Sequence, residues 1–140
     1  MAISPGGWSL TDVIGSRITR IRRVHYVYRG VPDTDFGPLE LTFGDRFALL
    51  DNAADGEALR VRAQAWEDPL AEPLSEENCA FVEKSGKWAA FDASAESAFA
   101  TFVGDVLASV ELVLAESGKV TGLILRTGKG GIIRVEVEAD

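Results

Sequence analysis

Apolar and polar residues alternate in several short runs along this chain, the two-residue period of strands with one buried face. From Arg17 to Tyr28, Val24, Tyr26 and Tyr28 alternate with His25 and Val27, all residue types that favour strands. Ile18 and Ile21 are three apart, so the phase slips near Thr19-Arg20, where a β-bulge is expected. Residues 30–38 read as a loop. Leu39, Leu41 and Phe43 then alternate with Glu40 and Thr42, and the hairpin signal Gly44-Asp45 returns the chain through Arg46 to Asp51. After a turn at Asp55-Gly56, Leu59, Val61, Ala63 and Ala65 alternate with Arg60, Arg62 and Gln64. Near the end, Leu107 to Glu116, Lys119 to Thr127 and Ile132 to Glu138 read as strands, joined by turns at Ser117-Gly118 and at Gly128-Lys129-Gly130-Gly131.

Two short helices are expected. In the first, Ser9 precedes Asp12 by three positions, close to a capping box, Trp8 and Val13 have the spacing of a hydrophobic staple, and Gly15 ends the turn. Residues 96–103 form the second. Residues 67–78 carry Glu67, Asp68, Glu72, Glu76 and Glu77 with two prolines and no basic residue, an exposed acidic loop. The stretch from Cys79 to Phe91 fits a hairpin closed by Ser85-Gly86, which is preferred, or a helix over 76–84 capped by Ser75.

A shift of 89 positions superposes Leu10, Val13, Ile14, Gly15, Ile18, Ile21 and Val24 on Phe99, Phe102, Val103, Gly104, Leu107, Val110 and Val113. After a loop deletion, Leu39 and Leu41 meet Leu123 and Leu125. The expected fold is therefore one α+β domain over 1–140. It is a mostly antiparallel, bent sheet or partial barrel with two short helices, built as two pseudo-symmetric α-β-β-β units. The units cover about 8–66 and 96–138, with an acidic insertion at about 67–94.

Composition narrows the chemistry. A chain of 140 residues that is 46% hydrophobic is the size of one domain and buries a core without cross-links. One Cys and one His exclude a disulfide framework and any site needing two imidazoles. The net charge of −8 argues against nucleic acid as a general partner. No secretory signal and no apolar run of membrane-spanning length occurs, so the cytoplasm is the expected compartment. The charge is uneven, however: the first 30 residues hold five arginines against Asp12 alone, and the remainder carries −12.

That excess makes Arg20, Arg22 and Arg23, interleaved with His25, Tyr26 and Tyr28, a candidate anion- or partner-binding strand, since guanidinium forks suit carboxylate and phosphate. The plainer reading, which carries more weight, is cross-strand pairing with Glu40, Glu111, Glu136 and Glu138. Trp66 and Trp88 flank the acidic insertion and, with Glu72, Glu76 and Glu77, form a candidate partner surface. No Gly-x-Ser-x-Gly elbow occurs, and the one His in a strand reads as structural. Gly128-Lys129 is not a phosphate loop, since Leu123 stands where the first glycine belongs and Gly130 where a hydroxyl is needed. Asp51-Asn52 and Asp55 lack the alternation of a calcium loop. No catalytic residue, cofactor or metal is expected.

Gly37-Pro38-Leu39-Glu40-Leu41-Thr42-Phe43-Gly44-Asp45, Trp66-Glu67-Asp68, and the Val103-Gly104 and Gly122-Leu123-Ile124-Leu125 stretches resemble small uncharacterised bacterial proteins, some grouped with toxin-neutralising immunity proteins. The region from Val103 to Val120 is also similar to half of a PRC-type barrel. The first resemblance implies a non-catalytic domain that binds another protein, here a basic one steered by the acidic surface. Two alternatives stand beside it: an anion or small-ligand domain using the arginine strand, and a structural module that dimerises through exposed strands.

Overall fold

The computed structural model describes residues 10–33, 37–52, 58–70 and 73–137. The expected Ser9 cap, the Trp8 staple, the Asp55-Gly56 turn, Glu72 and Glu138 lie outside them.

A single turn of 3-10 helix, Leu10–Val13, opens the described chain. Five strands follow: β1 (Arg20–Tyr28), β2 (Val31–Asp33), β3 (Leu39–Phe43), β4 (Arg46–Asn52) and β5 (Leu59–Arg62). Helix α1 (Glu76–Ser85) leads into β6 (Lys87–Asp92), and β7 (Leu107–Leu114), β8 (Val120–Thr127) and β9 (Ile132–Glu136) end the fold. A six-stranded sheet has the order β2-β1-β3-β4-β5, with β6 on the other edge of β1, and β7-β8-β9 form a second sheet. Every strand pair is antiparallel, so the fold is α+β with open antiparallel sheets.

One apolar cluster joins the two sheets. Ile18, Ile21, Leu41 and Leu50 from the first meet Leu107, Leu123, Leu125 and Ile133 from the second, and Leu10, Val13 and Phe102 close its end. β3 is buried on both faces: Leu39, Leu41 and Phe43 enter this cluster, while Glu40 and Thr42 are buried on the opposite side.

Several expectations change. The phase slip at Thr19-Arg20 is a change of partner and not a bulge inside one strand. Ile18 bonds to Asp105, whereas Thr19 already bonds to Thr42 of β3, so β1 proper begins at Arg20. Residues 31–33, read as loop, form a short strand on β1.

The hairpin expected between 80–84 and 87–91 does not form. Ser75 accepts the Asn78 amide, Glu76 and Glu77 sit in the first turn and Lys84 in the last, so caps and charges all favour helix over that stretch. β6 is where the second hairpin strand was expected, but its partner is β1. Nor are residues 96–103 a helix. They form successive turns, with three-residue bonds such as Phe99 to Glu96 and Phe102 to Phe99. Spacing Phe99 and Phe102 three apart brings both rings to the core without a longer helix.

Two backbone segments, 15–18 and 104–107, cross and bond to each other. Gly15 donates to the Leu107 carbonyl and Gly104 donates to that of Ile18, while Leu107 donates to Ser16 and Ile18 to Asp105. An isolated antiparallel bridge joins Arg17 to Val106 at the centre of the crossing. Beyond it, Ile21 lies opposite Leu41 and Val110 opposite Leu125, and Arg23 lies opposite Leu39 and Leu112 opposite Leu123.

Candidate functional site

The six candidate residues of β1 separate into different surroundings. Arg22 and Glu40 are cross-strand partners, and Arg22 Nε and Nη2 donate to the two carboxylate oxygens at 2.7 and 2.6 Å. The Trp66 amide donates to the same carboxylate at 2.8 Å, and Arg20 approaches at 3.6 Å. Burial pushes the Glu40 carboxyl toward the neutral form. The Arg22 hydrogen bonds, the Trp66 amide and the two arginine charges outweigh it and hold the group below the ordinary glutamate range. This buried node fastens the segment after β5 to the sheet. Arg20 and Arg22 are thus engaged with an internal anion. Glu111 and Glu136, also expected opposite the first-strand arginines, pair instead with Arg126 and Arg134 of their own sheet.

Of the remaining four, His25, Tyr26 and Tyr28 have ring or cation neighbours. His25 is buried, its ring tilted against Phe91 at 5.7 Å. The Tyr26 hydroxyl donates to the Ser85 carbonyl, and its ring meets Trp88 edge-on. Tyr28 is exposed, with the Arg29 guanidinium over its ring.

Arg23 differs from its neighbours. It lines a cleft of about 460 Å³ whose other walls come from both sheets: Leu39, Leu50 and Asp51 on one side, Ile133, Arg134, Val135 and Glu136 on the other, with Trp88 and Phe99. Asp51 in that lining is taken by Arg60 and Arg62, and Arg134 by Glu136. Arg23 Nε is buried and has no hydrogen-bond partner among the described residues. Arg20 and Arg62 also bury an unpartnered Nε, but each reaches a carboxylate through a terminal nitrogen. The cleft therefore combines a guanidinium whose buried Nε has no partner among the described residues with apolar and aromatic walls.

The candidate partner surface is divided as well. Trp66 is half-buried and engages through its backbone, its carbonyl accepting from Arg22 and its amide donating to Glu40. Trp88 is 42% exposed at the cleft. Glu76 and Glu77 are exposed in the first turn of α1. The acidic loop is tied to β6, where Lys87 binds Asp68 and the Leu70 carbonyl.

Gly128-Lys129-Gly130-Gly131 is a turn, held by buried Asp105, which accepts the Val106 and Lys129 amides. Among the described residues no group of three or more His, Cys, Asp or Glu side chains is placed to hold a metal ion, and no helix is long and apolar enough to cross a membrane.

Sequence reasoning singled out Arg23 but not the far wall of its cleft. Phe99 and residues 133–136 reach it only because the two sheets share a core, and no local pattern encodes that approach. No protein-family model, no curated protein and no solved structure matches the chain.

Proposed function

We propose that this protein is a non-catalytic binding domain that takes a small anionic ligand in the cleft between its sheets. Arg23 carries the reading. A guanidinium whose Nε is buried without a partner among the described residues is costly unless something pairs with it, and a carboxylate or phosphate matches its planar fork. Trp88, Phe99 and the aliphatic walls suit an apolar or ring-shaped body attached to that anion. Calorimetry of the full chain against carboxylate- and phosphate-bearing metabolites tests it. Binding that is lost in Arg23→Ala and kept in Arg29→Ala supports the reading. Binding unaffected by Arg23→Ala, or no binding across the panel, overturns it.

A second reading is an immunity-like domain that binds a basic protein. Its support is the acidic first turn of α1, with Glu76 and Glu77 exposed, on the same helix as the exposed ring of Phe81. Capture of a basic protein that fails with the Glu76→Lys, Glu77→Lys double variant supports it. Recovery of no partner from native lysate counts against it.

We also read the chain as two related units, about 8–66 and 96–138, around an inserted segment. The reciprocal bonds between Gly15–Ile18 and Gly104–Leu107, and the matching registers of β1 with β3 and β7 with β8, support this layout.

A further inference from the structure

We infer that the free edge of β7 is a strand-addition site, and that its occupant is β7 of a second copy of this chain. The inference rests on the two-unit layout proposed above. β1 has neighbours on both edges: β3 on one, and on the other β6, paired from Arg22↔Asp92 to Val27↔Lys87. β7 pairs with β8; on its other edge Leu107 bonds Gly15 and Ser16, and beyond that point no strand lies along the edge among the described residues. The 89-position correspondence sets residues 111–114 of β7 where 22–25 stand in β1, the stretch that β6 covers. Exposure follows the difference. His25, under Phe91 of β6, is 8% exposed, whereas its counterpart Leu114 is 57% exposed and Leu112 is 37%.

Free edges are normally guarded by lysine, proline or strong bulges. Between Ser109 and Leu114 there is no lysine or proline and one charge, Glu111, and the pairing with β8 is regular from Ser109 to Val113, with register shifts only at the two ends, Leu107/Ser109 and Val113/Leu114. The pattern also fits itself. Antiparallel pairing of two β7 strands about a two-fold axis at Leu112 sets Leu112 opposite Leu112, Val110 opposite Leu114 and Glu111 opposite Val113. No like charges then stand directly opposite one another, and Val110, Leu112 and Leu114 of both copies share one face. The two three-stranded sheets become one continuous sheet.

Sedimentation equilibrium of the full chain, from micromolar to near-millimolar concentration, tests this. A dimer is expected, with Leu112→Lys and Leu114→Lys each raising its dissociation constant by roughly tenfold or more at unchanged far-UV circular dichroism. Because Leu112 also pairs with Leu123 of β8, a gain-of-function variant accompanies them. Leu112→Cys in a Cys79→Ser background should form an intermolecular disulfide on oxidation. A monomer at every concentration, or a dimer indifferent to both lysines and lacking that cross-link, overturns the inference. The edge itself is read from the strand pairing, so a monomer at every concentration overturns this inference and leaves the two-unit layout standing.

Discussion

Arg22 and Glu40 face each other across β1 and β3, and the guanidinium grips both oxygens of a carboxylate that is fully buried. Removing Arg22 leaves the buried anion only the Trp66 amide and the more distant Arg20. Arg22→Ala should therefore lower unfolding free energy by about 3–5 kcal/mol, read from urea midpoints. The double variant Arg22→Met, Glu40→Leu should lose less than that single change, because no buried charge remains. A loss below about 1 kcal/mol for Arg22→Ala would place the pair among ordinary surface bridges.

The same node sets a pH dependence. Burial opposes the charge on Glu40, but its hydrogen bonds and the arginines prevail, so the native carboxyl ionises below its ordinary value of 4.5. A depressed native pKa contributes stability that is complete above the unfolded value and is lost as pH falls through the native one. Unfolding free energy should thus be insensitive to this group above about pH 5 and decline on further acidification. Glu40→Gln should flatten that acid limb, and an unchanged limb in urea titrations would exclude Glu40 as its source.

Gly15 and Gly104 adopt φ angles of 91° and 90°, and an added Cβ at either meets no atom within 4 Å. Alanine there costs backbone strain alone, about 1–2 kcal/mol. If the two turns are counterparts, Gly15→Ala and Gly104→Ala should destabilise equally, to within about 0.5 kcal/mol in chemical denaturation. Clearly unequal losses would separate the turns energetically and count against the two-unit layout.

Ser75 caps a helix that has no buried residue. Ser75→Ala should cost about 0.5–2 kcal/mol, and the loss should be local. Hydrogen exchange should accelerate at the amides of α1 while those of β3 keep their protection. Equal acceleration in both would mean that α1 and the sheet unfold together.

How much of this was legible in the sequence varies by element. β3 was, because Leu39, Leu41 and Phe43 alternate strictly and Gly44-Asp45 closes the hairpin. The crossing of residues 15–18 with 104–107 was not, because nothing local names the partner of either segment. α1 was ambiguous, since it has no apolar stripe and Ser85-Gly86 serves equally as hairpin turn or helix end. Arg23 could not be told from Arg22 in the sequence. Both are arginines of one strand, and what separates them is Glu40 opposite Arg22 and, beside Arg23, a cleft wall more than a hundred positions away.

The crossing at Arg17 and Val106 also bears on how the chain is made. Arg17 bonds the Gly104 carbonyl across 87 positions, and Ile18 finds its backbone partners at Gly104 and Asp105. Contacts of such sequence separation form late. During synthesis, Ile18, Ile21 and Leu41 therefore have no lid until β7 and β8 have emerged from the ribosome. A chain that stops before β8 is not a shorter version of this protein. It is a sheet with its inner face in water, and it depends on chaperones or proteases for its fate.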